Sequence, residues 1–216
     1  MRKRRHKALL ALALSVAFVL GGCTGEETKA ESRLKEACVS GILKGKEMFE
    51  EPESDAFLKL VSEGDFEGMS LVIYYVGPNA MWAYPTSIDE LVDISSNELI
   101  VQHGIGGIAV ANGEELARHA GLLYLLASEE LVPLGQDYRM DARVYCVFKD
   151  KYNRKIFEVA MWGRPEKSGS GSATFINGVY VEDKDIYYDI FIPFLPEKLA
   201  RAWEEQKPSS QTQDKE

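Results

Sequence analysis

The chain changes its hydrophobic rhythm twice. Ala8 to Leu20 is apolar except for Ser15. Beyond it, Leu34, Cys38, Ile42, Leu43 and Phe49 recur at three-to-four spacing, which predicts a helix over residues 31–50 that Pro52 stops. "SDAFLKLVS" predicts a short second helix on Phe57, Leu58 and Val61. "SLVIYYV" (70–76) is rich in β-branched and aromatic residues and predicts a buried strand, stopped by Gly77-Pro78-Asn79. Ser87 followed by Glu90 is a capping box, so a short helix to about Asp93 is expected. "ELIVQH" (98–103) predicts a second strand, followed by a loop on Gly104, Gly106 and Gly107. Asn112 with Glu115 repeats the capping box and heads a helix to about Ser128.

From there the period becomes two. "ARVYCVF" (142–148) and "KIFEVAMW" (155–162) alternate about a polar turn at 150–153, which predicts an antiparallel hairpin. "KSGSGS" (167–172) reads as a flexible loop. Asn177-Gly178 between two β-prone triplets in "TFINGVYV" predicts a second hairpin. "DIYYDIFI" (185–192) suits both a strand and a helix, and the acid before it with Pro193 after it favours the helix. Pro196 suits the first position of a last helix through Leu199 and Trp203. Helices come first with strands interspersed, and hairpins follow. The expected class is α+β, a mostly antiparallel sheet of about five strands with helices packed on one face.

The first 22 residues contain Arg2, Lys3, Arg4, Arg5 and Lys7 and no acid. The apolar run behind them would make a helix of about 20 Å, short of the roughly 30 Å hydrocarbon core of a bilayer. A basic start, a short apolar centre and small residues near a cut site describe an export signal. Leu20-Gly21-Gly22-Cys23 resembles the lipobox of bacterial lipoproteins. That resemblance covers residues 1 to about 23. It implies a diacylglyceryl group on Cys23, cleavage before it, and a membrane anchor facing outside the cytoplasm, in the outer membrane if the cell has one. The expected organisation is a signal (1–22), a polar tether (23–30), one α+β domain (31–206) and a polar tail without apolar side chains (207–216).

Removal of the signal changes the charge. The whole chain has 25 Lys and Arg against 34 Asp and Glu; five of the basic residues leave with the signal, so 20 remain against 34, a net of −14. Such a surface repels nucleic acid, and no nucleic-acid partner is expected. Outside the cytoplasm thiols can oxidise, and the two cysteines left after Cys23, Cys38 and Cys146, allow one disulfide or two buried free thiols.

Candidate chemistry is sparse. No H-E-x-x-H or G-x-S-x-G occurs. Gly104-x-Gly106-x-x-Ala109 matches a minimal dinucleotide pattern, but the next predicted helix begins too late to hold a pyrophosphate. Gly45-Lys46 lacks the Ser or Thr of a phosphate loop. No cofactor is expected. Glu182, Asp183, Asp185 and Asp189 read as an acidic turn with a helix cap or as a weak calcium site, and no metal ligand set is assigned. His119 is expected on an exposed helix face. His103, at a strand end beside the glycine loop, is where a general base would sit in a hydrolase. The most suggestive segment is "YYVGPNAMWAYPTS" (74–87). Trp82 and Tyr84 on that loop, with Trp162 at the end of its strand, form either a contact platform for an envelope protein or glycan or a cap on the core. The expected function is that of a lipid-anchored, non-enzymatic binding or accessory module of the envelope. A hydrolase using His103 and a small solute-binding lipoprotein are the alternatives.

Overall fold

The computed structural model describes residues 52–77, 80, 85–129, 131–134, 141–162, 173–182 and 185–205. The helix expected over 31–50, the signal, the tether, the loop 167–172 and the tail lie outside the described residues. So do Cys23, Cys38, Trp82 and Tyr84.

The class is α+β. Helix α1 (Pro52–Glu63) leads into strand β1 (Ser70–Val76). Helices α2 (Ile88–Ser95) and α3 (Glu98–Gln102) precede β2 (Gly106–Asn112). Then come α4 (Gly113–Arg118), α5 (Ala120–Ser128), β3 (Ala142–Lys149), β4 (Lys155–Trp162), β5 (Ala173–Ile176) and β6 (Val179–Glu182). Helix α6 (Asp185–Phe191), a 3-10 turn (Ile192–Phe194) and α7 (Glu197–Glu205) close the chain. The six strands form one sheet in the order β2-β1-β3-β4-β5-β6, antiparallel at every pairing.

Successive side chains on a strand point to opposite faces. On one face Leu71 and Ile73 of β1, Val144, Cys146 and Phe148 of β3, and Phe157, Val159 and Met161 of β4 meet α1, α5 and α6 in the main core. Its centre is aromatic. Phe57 of α1 stacks on Phe157 with ring centroids 4.2 Å apart and lies 4.7 Å from Phe148, which also meets Phe191 of α6 at 6.2 Å. On the other face Leu91 of α2 packs with Val76, Ala142, Tyr145, Val147 and Ala160.

Strand β1, both hairpins, α6 and the capping box on α2 stand where the sequence puts them. Ser87 accepts from Glu90 N–H, and the Glu90 carboxylate accepts from Ser87 N–H at 2.8 Å. Asn177 and Gly178 have φ of 44° and 83°, the left-handed pair that a tight two-residue hairpin needs. The Pro196 carbonyl accepts from Leu199 N–H at 2.8 Å and so opens α7.

Three local expectations need correction. Residues 98–102 form helix α3, not a strand, and the strand lies at 106–112. Two caps override the β-prone Ile-Val pair. The Asn97 side chain accepts from Leu99 N–H at 3.0 Å. Gly104, at φ 63°, ends the helix with Gly104 N–H to Val101 O and Ile105 N–H to Ile100 O, both 3.0 Å. This is a Schellman ending, which favours glycine because a Cβ is strained at that φ. The helix expected over 113–128 is two helices divided at His119, whose ψ of 22° breaks the helical run. His119 is half-buried rather than exposed, with its ring edge-on to Phe194 at 5.0 Å. Pro52 begins α1, where its fixed φ and missing N–H cost nothing.

Candidate functional site

The candidate contact segment follows β1. The residues on either side of Trp82 and Tyr84 are fastened to the sheet. Gly77 N–H donates to Ile105 O at 2.6 Å, and Ala80 N–H to Gly77 O at 2.9 Å. Thr86 N–H donates to Asp141 Oδ1 at 2.9 Å, while Ala142 N–H donates to Thr86 O at 2.7 Å.

One buried cation adds to the fastening. Ala142 pairs with Trp162 and Val144 with Met161, so Arg143 is the extra residue of a β-bulge. A bulge re-aims a side chain that an even strand would bury on one face. Arg143 is only 9% exposed. Its Nε and Nη2 donate to Asp141 Oδ2 at 3.0 and 2.7 Å, and its Nη1 donates to Ala80 O at 2.7 Å. One guanidinium therefore joins the start of β3 to the contact segment, and Asp141 holds both it and Thr86.

Beside this pin, the second sheet face carries a row of rings. The register aligns Ile108, Tyr74, Tyr145, Ala160, Phe175 and Tyr180 across all six strands. Tyr74 and Tyr145 stack with centroids 6.0 Å apart, and Phe175 meets Tyr180 edge-on at 5.3 Å. Glu158, buried, accepts a hydrogen bond from the Tyr145 hydroxyl and pairs with Lys155 Nζ at 3.1 Å. Its backbone N–H donates to Asn177 Oδ1 at 2.7 Å, which ties the second hairpin's turn to β4. Burial first, then the hydrogen bond to Glu158 and the negative charge of that carboxylate, push the Tyr145 phenol far above its ordinary 10.0. This keeps the phenol neutral, as the donor to Glu158. The arrangement can hold a shape and present rings.

The other expected site residues are dispersed. Trp162 ends β4, and only its backbone is described. Cys146 lies on the face under α1, α5 and α6 as a buried free thiol, and burial pushes its pKa well up, which makes it unreactive. Cys38, its expected partner, lies outside the described residues. His103 caps α3 at the surface instead of ending a strand. Glu182 is an exposed residue at the end of β6, and Asp189 is exposed on α6. Among the described residues no group of three or more His, Cys, Asp or Glu could hold a metal ion, and no helix is long and apolar enough to cross a membrane.

Sequence reasoning missed Arg143, Asp141 and Glu158. Glu158 had a signal, since an acid in the middle of an apolar strand needs a partner. Arg143 had a weaker one, a cation at the head of a buried strand. Comparison of the chain with protein-family models, curated proteins and solved structures finds no match.

Proposed function

We propose that this chain is a lipid-anchored extracytoplasmic protein of a bacterial cell envelope, and that it works as a non-enzymatic binding or accessory module. The observation that carries the reading is Leu20-Gly21-Gly22-Cys23 behind a basic start and a short apolar run. The diacylglyceryl group on Cys23 holds the domain at the membrane, and two acyl chains give stable attachment where one does not. The partner, an envelope protein or a glycan, meets the segment that carries Trp82 and Tyr84. Support comes from the Arg143–Asp141 pin, which holds Ala80 and Thr86 on either side of those two residues, because anchored flanks leave less conformational entropy to lose on binding.

Cys23→Ser should move the protein from the membrane fraction to the soluble one, or leave the signal uncut, as read by fractionation and intact mass. Unchanged membrane attachment with an unmodified Cys23 overturns the anchor. In the anchored protein, Trp82→Ala with Tyr84→Ala should abolish cross-linking to its envelope partner at unchanged thermal stability. Undiminished cross-linking overturns the contact segment.

A further inference from the structure

Apolar exposure is concentrated at one edge of the sheet. Leu99, Val101, Ile105, Ile108 and Val110 are 63%, 50%, 39%, 45% and 64% exposed, and they fall within twelve residues of chain. Ile108 and Val110 lie on one face of β2, which is an edge strand. Helix α3 adjoins the start of that strand, where the Cβ position of Gly106 lies 3.1 Å from Ile100 Cγ2. Helix α3, which carries Leu99 and Val101, therefore sits beside the start of the strand that carries Ile108 and Val110.

The edge itself is open to pairing. Gly77 N–H donates to Ile105 O, so the facing pair Gly77–Ile105 is hydrogen-bonded. Antiparallel ladders alternate. Gly107, Ala109 and Ala111 therefore aim their backbone groups at β1, while Gly106, Ile108 and Val110 aim theirs away from the sheet. Among the described residues, no backbone hydrogen bond meets that outer side of Ile108 or Val110. Sheet edges are normally blunted by a lysine, a proline or a bulge. The strand Gly-Gly-Ile-Ala-Val-Ala-Asn has no charge and no proline, and its register with β1 is unbroken.

We propose that β2 is the dimer interface of this protein, pairing antiparallel with β2 of a second copy across a two-fold axis at Ala109. This register is self-complementary. Ile108 of each copy faces Val110 of the other, and each such pair exchanges two backbone hydrogen bonds. The β-branched side chains meet on one face, and the two Ala109 methyls meet on the other, at the close non-hydrogen-bonded position. Size is adequate as well. The five exposed fractions leave roughly 500 Å² per copy, or about 1,000 Å² for the pair when all five are covered, the least that a specific interface buries. The inference does not depend on lipid attachment.

Sedimentation equilibrium of the full chain, in density-matched detergent, tests it. The wild type should sediment at twice the chain mass at micromolar concentration. Val110→Lys places two uncompensated ammonium groups in the interface and should raise the dissociation constant more than tenfold, with the thermal midpoint of dilute protein unchanged. Val132→Lys, at an exposed apolar position away from β2, should leave the dimer intact. The proposed Cα separation of about 4.5 Å at the axis lies within disulfide reach. Ala109→Cys should then form an intermolecular 109–109 disulfide under mild oxidation, identified by peptide mass. A monomeric wild type at tens of micromolar overturns the proposal and leaves the edge to a strand of a different protein. A dimer that survives Val110→Lys, or an Ala109→Cys chain with no 109–109 bond, overturns it equally.

Discussion

The same strands build two different faces. Under α1, α5 and α6 the sheet presents Leu71, Ile73, Val144, Cys146, Phe148, Phe157, Val159 and Met161. One residue along each strand, the opposite face presents Tyr74, Tyr145, Glu158, Phe175 and Tyr180, with the Arg143 pin at its end. The first face is held by exclusion of water, which is roughly proportional to area and indifferent to direction. The second adds to a smaller apolar cluster under α2 a set of hydrogen bonds, which work only when donor and acceptor both stay in place. A loss on the first face should therefore scale with the volume removed. A loss on the second should depend on what is left without a partner.

The largest effect that tests this contrast is Phe148→Ala. Phe148 has no exposed surface and touches rings from α1, β4 and α6. The cavity should lower unfolding free energy by about 3–5 kcal/mol in urea titration. A loss under 1 kcal/mol would show that this face collapses around voids and is no jigsaw.

Asp141→Ala comes next. It removes the acceptor of two Arg143 donors and of Thr86 N–H, while Arg143 stays buried. Stripping one partner from a fully buried pair costs about 3–5 kcal/mol. Asp141 keeps a third of its side-chain surface exposed, so roughly 2–3 kcal/mol is expected here. Adding Arg143→Met to Asp141→Ala should restore part of the loss, because no stranded cation remains. If the double variant is less stable than Asp141→Ala alone, the pin stabilises through its bond to Ala80 and not through charge pairing.

The smallest effect is one of pH. Burial against Phe194 pulls the His119 imidazole below its ordinary 6.5; Glu115 opposes this and Arg118 adds to it. The folded chain thus binds fewer protons at this site than the unfolded chain does. His119's contribution is complete above about pH 6.5 and is lost as pH falls through the depressed folded value. His119→Gln should flatten the acid limb of a stability-against-pH curve, by less than either preceding change. An unaltered limb would assign acid sensitivity to other groups.

The legibility of the chain follows the range of its interactions. Strand β1, the β3–β4 and β5–β6 hairpins and α2 are readable because alternation, Asn177-Gly178 and Ser87–Glu90 act within a few residues. Helix α3 shows local signals in competition. Ile100 and Val101 favour a strand, yet Asn97 and Gly104 close a helix around them, and Gly104 viewed as a helix ending rather than a loop residue would have revealed it. The candidate site is another matter. Arg143 reaches Ala80 across 63 positions, and Thr86 reaches Asp141 across 55. Nothing in the neighbourhood of either end encodes the other.

By itself, the sequence determined the α+β class, the places of the two hairpin turns and the alternation along their strands, because backbone dihedrals and side-chain alternation are local physics. Only the tertiary structure decided which residues of the second face meet and which strand was left at the edge with its apolar side chains exposed. Those outcomes depend on loop closure and strand order, which bring together groups that no short window of sequence contains.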